Sequence, residues 1–312
     1  MFYDLASLAK PLVTAPLAHR HLDLDEDRRA QLGFLDRAEP LTVRQLLSHS
    51  AGLPPWLPFT GEPLAAQLGR GFPSGAHPKL TLGIPGTSLY SDLGYRLLAE
   101  LLERQTGVPF PELGARSSGL EPAPWALAPV FAPQGPDLEM WRLAAPALPF
   151  PARDPHLPND ANARAGMRGH AGFGADAEGL RTCLDRWVAS GAPLAMSRDA
   201  AQGADGSRWG LGLQRAFTGQ GRFGALLEGV RRNGVHVVEW DRDRLSPPVP
   251  EAPAGPPSAF WYHLGFTGPA LFFRPEDGLC VAVLAHRVGP AGELLDAAQL
   301  QARRLEALRA WV

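Results

Sequence analysis

Ser7 and Lys10 stand three residues apart in MFYDLASLAKPLV, where a run of apolar residues at helical spacing begins. On a helix that spacing puts both side chains on one face, about a turn apart. A lysine amine so placed takes the serine proton if its surroundings favour the neutral form, or it steers a neighbouring base. Backbone N–H groups at the helix N-terminus suit an oxyanion developing beside the serine. The same spacing fits a surface helix with an exposed lysine, so the pair alone is a weak signal. Tyr90 and Asp92 form a second group. A tyrosine in a turn before a helix can be a general base when an ammonium lowers its pKa from about 10. The plainer alternative is an ordinary turn in which Asp92 caps the following helix. The third group is His263-Leu264-Gly265, followed by Phe266-Thr267-Gly268. Glycines there let a substrate approach the backbone closely, and the N–H of Phe266 with that of Ser7 would complete an oxyanion hole. The alternative is a β-bulge in a core strand.

These groups need elements to hold them. Residues 5–20 read as a helix with Asp4 as N-cap and a kink at Pro16. TVRQLLSHS reads as a short helix stopped by Gly52 and Pro54, and residues 55–80 as loop with one short helix. A turn-rich lead-in reaches Tyr90, and LGYRLLAELLERQ continues as a helix ended by Gly107. Residues 108–165 are Pro-rich and irregular, with aromatic points at Trp125, Phe131 and Trp141. A Gly-rich loop, GMRGHAGFG, precedes a helix from Asp176, its N-cap, to about Ser190. WGLGLQ and VHVVEW read as strands, and PPVPEAPAGPP (247–257) as a stiff connection. WYHLGFTGPALFF and LCVAVLAHRV read as two strands joined by RPEDG, and an amphipathic helix closes the chain. The order is α+β rather than alternating βαβ, with no internal repeat.

Composition narrows the partners. The 312 residues suffice for one large domain or two lobes, and 45% hydrophobic with 20% charged residues is ordinary globular composition. A formal net charge of −2 gives no basic field for nucleic acid or an anionic membrane. No run of 18 apolar residues occurs, so no membrane span is expected. No signal-peptide pattern is visible, and a cytoplasmic location is the expectation. Cys183 and Cys280 fit no metal or redox spacing and read as two buried free thiols. His19 and His21 lack a third spaced ligand, so a solvated helix end is expected and no metal or other cofactor. Gly-x-Ser-x-Gly elbows, P-loops and dinucleotide fingerprints are absent from the sequence.

Together, in order, Ser-x-x-Lys, Tyr-x-Asp and His-x-Gly resemble the serine β-lactamase and penicillin-binding-protein superfamily. YDLASLAKPLVT, LTVRQLLSHSAGLP, YSDLGYRLLAELLE, NARAGMRGHAGF and HLGFTGPALFFRPEDGLCVAVLAHRV are similar to its class C-type branch, which holds esterases, D-amino-acid peptidases and β-lactamases. The resemblance covers nearly the whole chain except 108–160 and 215–258. It implies an α+β, β-lactamase/transpeptidase-like fold, with an antiparallel sheet flanked by helices and a mostly helical lobe. The single domain would divide into an α/β lobe at approximately 1–38 and 176–312 and a helical or irregular lobe at approximately 39–175. It makes Ser7 the acylated nucleophile, Lys10 and Tyr90 its proton-handling partners, and Asp92 the holder of Lys10 where the family often has Asn. His263 and Gly265 would support substrate, and Phe266 would lend its backbone N–H. His49 and His170 read as shaping loops beside the cleft.

Two departures from the family pattern matter. His263-Leu264-Gly265 replaces the usual Lys- or His-Thr-Gly. A hydroxyl that would help bind a substrate carboxylate is lost, and histidine is the weaker cation. The expected activity is therefore hydrolysis of a small-molecule ester, amide or peptide bond in esterase style, with a non-catalytic binding remnant as the alternative. A β-lactamase, D-Ala carboxypeptidase or D-aminopeptidase is a second alternative, and the oligomeric state is left open. The other departure is the position of Ser7, where the family has strands before the nucleophile. Their lack would leave LCVAVLAHRV with a bare apolar edge. A longer true protein is the favoured expectation; a covering strand such as VHVVEW or a second chain, or a decayed enzyme, are the others.

Overall fold

In this computed structural model the described residues are 3–69, 83–122, 160–164, 166–217, 227, 230, 233–240, 259–287 and 295–311. Trp125, Phe131, Trp141 and the 247–257 connection lie outside them.

The first strand, β1 (Tyr3–Asp4), leads into a 3-10 turn at Ala6–Leu8, a π-helical turn at Lys10–Thr14 and α1 (Ala15–His21). The single helix expected over 5–20 is thus three segments of different winding. Pro16 has no N–H for the carbonyl four residues back and its ring needs room beside it. The chain widens just upstream and closes again with Pro16 in the first turn of α1. Then follow α2 (Arg29–Leu32), α3 (Val43–Leu47), α4 (Leu64–Gly69), β2 (Thr87–Ser88), α5 (Asp92–Thr106), α6 (Phe110–Ser118), β3 (Glu121–Pro122), α7 (Ala161–Arg164), β4 (Phe173–Ala175), α8 (Ala177–Ala189) and α9 (Ala192–Met196). Thr42 and Gln45 cap α3 reciprocally, and Gly107 ends α5 with a left-handed φ of 69°. Asp176 caps α8 by accepting from the Gly179 N–H at 2.7 Å.

The strands β5 (Ala201–Gly203), β6 (Arg208–Trp209), β7 (Gln214–Phe217), β8 (Val235–Glu239), β9 (Ala259–Leu264), β10 (Ala270–Arg274) and β11 (Leu279–Leu284) precede the closing helix α10 (Ala297–Trp311). They form an eight-stranded sheet in the order β2-β5-β6-β7-β9-β10-β11-β8, and β1-β4-β3 form a small one. WGLGLQ proves to be the end of β6 and the start of β7, parted at Gly210–Leu213. A Cβ on Gly210 would stand 2.2 Å from the Met196 carbonyl oxygen, so the backbone passes too close to its neighbour to carry a side chain. WYHLGFTGPALFF is likewise two strands, β9 and β10, folded at Gly265–Pro269. Gly268 has φ 136°, and its Cβ would meet the Ala285 carbonyl oxygen at 1.9 Å.

All six residues of β11 are buried, because helices cover both faces of the sheet. Cys280, Ala282 and Leu284 join Leu271, Phe273 and the α8 residues Leu180, Leu184 and Trp187 on one face. Val281 and Val283 join Phe272, Ala307 and Leu308 on the other. Cys183 and Cys280 are buried free thiols, and burial pushes Cys183 up to about 12. The expected bare edge does not exist. β8 pairs with β11 in parallel, Cys280 opposite Val235 through Leu284 opposite Glu239. The covering element is therefore the internal strand VHVVE. The sheet is mixed, not antiparallel throughout, since β2 and β5 also run parallel.

Candidate active site

Ser7 lies in the 3-10 turn and Lys10 opens the π-helical turn that follows, and across that step the Lys10 Nζ donates to the Ser7 Oγ at 3.0 Å. Ala6, just before the serine, has φ 45°. That conformation is uncommon for a residue with a Cβ and strained where the surroundings impose it. Here Asp4 fixes it, with its Oδ1 accepting from the Ala6 N–H at 2.8 Å. Asp4 thus serves the turn from β1, rather than capping a helix. Across the small sheet, the Leu5 N–H donates to the Phe173 carbonyl at 3.0 Å.

Lys10 is wholly buried. Its Nζ also donates to the His170 carbonyl oxygen at 3.0 Å and lies 2.7 Å from the Asp92 Oδ1. The Tyr90 and Tyr95 ring centroids stand 5.0 and 5.6 Å from it. Burial pushes the ammonium down, but the Asp92 carboxylate and Tyr90 outweigh it and Lys10 stays above its ordinary value. Tyr90, half-buried, is in side-chain hydrogen-bonding reach of both Lys10 and Ser7. Burial pushes its phenol up and Asp92 adds to that; Lys10 pulls it back only partly. Without substrate, the arrangement holds an ammonium and a neutral phenol.

Three hydrogen bonds to the stretch from His49 to Pro55 clamp Tyr90 and Asp92 in place. The Leu89 N–H donates to the His49 carbonyl at 2.8 Å and the Asp92 N–H to that of Pro55 at 2.9 Å. The Ser91 N–H donates to the His49 Nδ1 at 3.1 Å. His49 carries a φ of 57°, and its ring packs on Tyr90, Tyr95 and Trp209 at centroid distances of 4.6, 5.3 and 4.6 Å. Burial and the nearby Lys10 charge hold its pKa down to about 3, so it is a neutral packing group. Asp92 is the first residue of α5, which Ser91 flanks; its carboxylate faces Lys10 instead of capping the helix.

His170 sits opposite. A Cβ on Gly169, whose φ is 91°, would lie 2.1 Å from the Tyr95 carbonyl oxygen. This close approach lets the Gly169 carbonyl accept from Thr14 Oγ1 at 2.5 Å and the next carbonyl accept from Lys10. The His170 Nε2 meets the Asp160 Oδ1 at 2.8 Å. Asp92, Asp160 and His170 offer three ligand atoms within 4.8 Å of one another. The Lys10 ammonium already supplies the positive charge beside Asp92, so the cluster reads as a charge network rather than a metal seat.

His263 on β9 is 3% exposed, with both ring nitrogens unpartnered. Its ring lies 6.0 Å from Tyr90. Burial first, then the Lys10 charge, push its pKa well below 6.5, so it is neutral. It lines a cleft of about 490 Å³ with Tyr90, Trp209, Tyr262, Leu89 and Leu264 among others; Asp205 also lines it, and no described lysine or arginine does. Arg208 and Arg215, opposite one another across β6 and β7, turn to the other face and meet Asp199. Gly265 and Phe266 form the turn after β9, pressed on the strand before the nucleophile. A Cβ on Gly265 would meet the Leu5 carbonyl oxygen at 3.1 Å, and Thr267 Oγ1 donates to the Asp4 carbonyl at 2.8 Å.

Ser7, Lys10, Tyr90 and Asp92 thus converge, with His263 at the cleft wall and Gly265–Phe266 beside the strand leading to Ser7. Reasoning from sequence did not find Ala6, Asp160 or the His170 carbonyl. A strained φ leaves no mark on an alanine, and Asp160 follows an irregular Pro-rich stretch.

The Beta-lactamase family model matches residues 2–306. No curated protein matches the sequence. Among solved structures the chain is similar to SurE, with a TM-score of 0.57, 22% identity, and 100% of this chain and 65% of that one covered. It is similar to the D-amino acid amidase from Ochrobactrum anthropi SV3 complexed with L-phenylalanine amide (0.56, 16%, 99% and 83%). It is also similar to the class C β-lactamase from Rhodobacter sphaeroides (0.56, 18%, 99% and 84%). The chain spans less than two thirds of the length of the SurE structure. These likenesses carry the β-lactamase/transpeptidase fold. Among the described residues no helix is long and apolar enough to cross a membrane. The chain belongs to the Beta-lactamase family.

Proposed function

We propose that the protein is a serine hydrolase cleaving an ester or amide through an acyl-enzyme on Ser7. The observation that carries this reading is the 3.0 Å contact from the Lys10 Nζ to the Ser7 Oγ inside a buried network with Tyr90 and Asp92. The Ser7 Oγ attacks the substrate carbonyl carbon while its proton passes to the Lys10–Tyr90 pair, once that pair has lost a proton. The N–H groups of Ser7 and Phe266 receive the oxyanion. Collapse of the tetrahedral intermediate breaks the bond to the alcohol or amine, which leaves with the proton. Water then attacks the acyl carbon and frees Ser7 by the same path. The strained Ala6 supports the reading, since such outliers cluster where a group must be aimed.

The cleft indicates an uncharged, flat or apolar acyl group. Tyr90, Trp209, Tyr262 and Leu264 line it, and the neutral His263 gives a carboxylate no cation to pair with. This favours the esterase-like reading over a β-lactamase or a carboxypeptidase. Intact-mass analysis after incubation with a fluorophosphonate or a penicillin tests the claim. A folded protein with no adduct on Ser7 would overturn it, and p-nitrophenyl ester against nitrocefin turnover separates esterase from lactamase.

A further inference from the structure

The Lys10 ammonium has three hydrogens to donate and three acceptors around it: the Ser7 Oγ, the Asp92 Oδ1 and the His170 carbonyl oxygen. The first reacts and the second is a counter-ion, so the third fixes the aim of the ammonium. That carbonyl is anchored through its own side chain. The His170 ring is buried, and its Nε2 meets the Asp160 Oδ1 at 2.8 Å. Asp160 is anchored in turn, because the same Oδ1 accepts from the Ala163 N–H at 2.8 Å at the start of α7. Two residues on, Asn162 ties α7 to the other side of the site. Its Nδ2 donates to the Leu57 carbonyl at 2.8 Å, and its Oδ1 accepts from the Phe59 N–H at 3.0 Å. That stretch is continuous with Pro55, whose carbonyl accepts from the Asp92 N–H. Residues 160–162 thus brace two of the three partners of Lys10 against each other.

Bracing alone does not call for a charge. Both hydrogen bonds to Asp160 fall on one oxygen, which an asparagine would supply while staying neutral. The Asp160 side chain is only 16% exposed, so a carboxylate is held largely out of water at a cost. Burial pushes its pKa up, but His170, the Ala163 N–H and Lys10 outweigh that and hold it below its ordinary value. The groups that face it are His170 on the Gly-rich loop, Lys10 on the π-helical turn and Asp92 on α5. Around Lys10 itself stand Tyr90, Tyr95 and Asp92, with the neutral His49 and His263. Lys10 is therefore a buried cation served by two carboxylates, one against it and one behind His170.

We infer that Asp160 is a positioning residue for Lys10: through the His170 ring it aims the ammonium at Ser7, and as a second anion beyond Asp92 it holds the proton on the Lys10–Tyr90 pair. This rests on the acyl-enzyme reading above. A merely structural Asp160 would govern folding and leave the titration of Lys10 untouched.

The test uses the full chain and the variants D160N and D160A, with p-nitrophenyl ester hydrolysis followed from neutral to about pH 11.5. D160N keeps both hydrogen bonds and removes the charge. Losing an anion eases loss of the proton, so the ascending limb of kcat/KM should move to lower pH by about 0.3–1 unit. The shift is smaller than for D92N, because Asp160 does not touch the ammonium. D160A also frees the His170 ring, and should add to that shift a roughly tenfold loss in kcat with KM within about twofold. Lysine-selective 13C NMR reads Lys10 directly, with Lys79 as the reference, and its titration should move with the limb. A folded D160N whose limb and Lys10 titration stay within about 0.2 unit of the parent's, or move to higher pH, overturns the inference. So does a folded D160A with the parent's kcat. If D160A does not fold, D160N against the parent decides. If the parent forms no adduct on Ser7 with a fluorophosphonate, the hydrolase reading falls, and the Lys10 titration still judges Asp160. If the parent does form it and the variants titrate as the parent does, only the role of Asp160 falls.

Discussion

Replacing Asp92 by asparagine removes one charge from the centre of the proton-handling network and keeps its shape. The Asp92 carboxylate raises both partners of Ser7: it stabilises the Lys10 ammonium across 2.7 Å, and it opposes ionisation of the Tyr90 phenol. Removing it therefore lowers both. At 2.7 Å, Coulomb's law gives about 1–2 kcal/mol in a water-like medium and about 6 kcal/mol at an effective dielectric constant of 20. Since one pH unit corresponds to about 1.4 kcal/mol, the ascending limb of kcat/KM, on which the pair loses its proton and activity appears, should move to lower pH by at least about one unit. The limb belongs to the coupled pair rather than to either residue. The assay is p-nitrophenyl ester hydrolysis over a range that runs from neutral to about pH 11.5, above the ordinary lysine and tyrosine values, with the uncatalysed rate subtracted. Lysine-selective 13C NMR gives an independent reading, since Lys10 and Lys79 are the only two lysines of the chain. D92N should also be less stable below its shifted limb, where Lys10 would be a buried cation without its partner. A limb that stays within half a unit, or moves to higher pH, would refute the assignment of Lys10 and Tyr90 as the proton acceptors.

Other expectations concern the frame around the site. Gly169→Ala places a Cβ at 2.1 Å from the Tyr95 carbonyl oxygen at a φ of 91°, and should cost at least about 2 kcal/mol. Thermal melting would show a drop of about 3 °C or more, with activity falling as the His170 carbonyl leaves Lys10. Thr42→Ala breaks the capping box of α3 and should cost about 1 kcal/mol, with kcat of the folded protein unchanged. Of two esters differing only by a carboxylate on the acyl group, the neutral one should be used at least about tenfold better, a gap of about 1.4 kcal/mol. His263→Lys with Leu264→Thr should narrow that gap in kcat/KM.

Much of the frame could be read from residues alone. Asp176 and Gly107 mark helix ends because capping and left-handed termination depend on local chemistry. The site was legible as an ordered set, Ser7, Lys10, Tyr90 and Asp92, because each carries a reactive atom. The failures share a different cause. The two glycine-broken stretches, WGLGLQ and WYHLGFTGPALFF, look continuous by period, while the backbone contacts at Gly210 and Gly268 that divide them are long-range. The His170 carbonyl acts through a backbone group that every residue possesses, so nothing in its identity announces the contact. The pairing of VHVVE with LCVAVL joins segments some forty residues apart, and its parallel sense has no turn between them to signal it.

That last pairing has a bearing on how the protein fails. β8 is the outermost strand, and parallel ladders are slightly weaker per residue than antiparallel ones. In native-state hydrogen exchange its amides should open before those of β10 and β11. Each opening would bare the backbone of a strand buried along its whole length, which is a template for another molecule's strand. VHVVE is thus a gatekeeper as well as a structural strand: conditions that loosen it without unfolding the sheet should seed polymerisation between molecules before catalysis is lost.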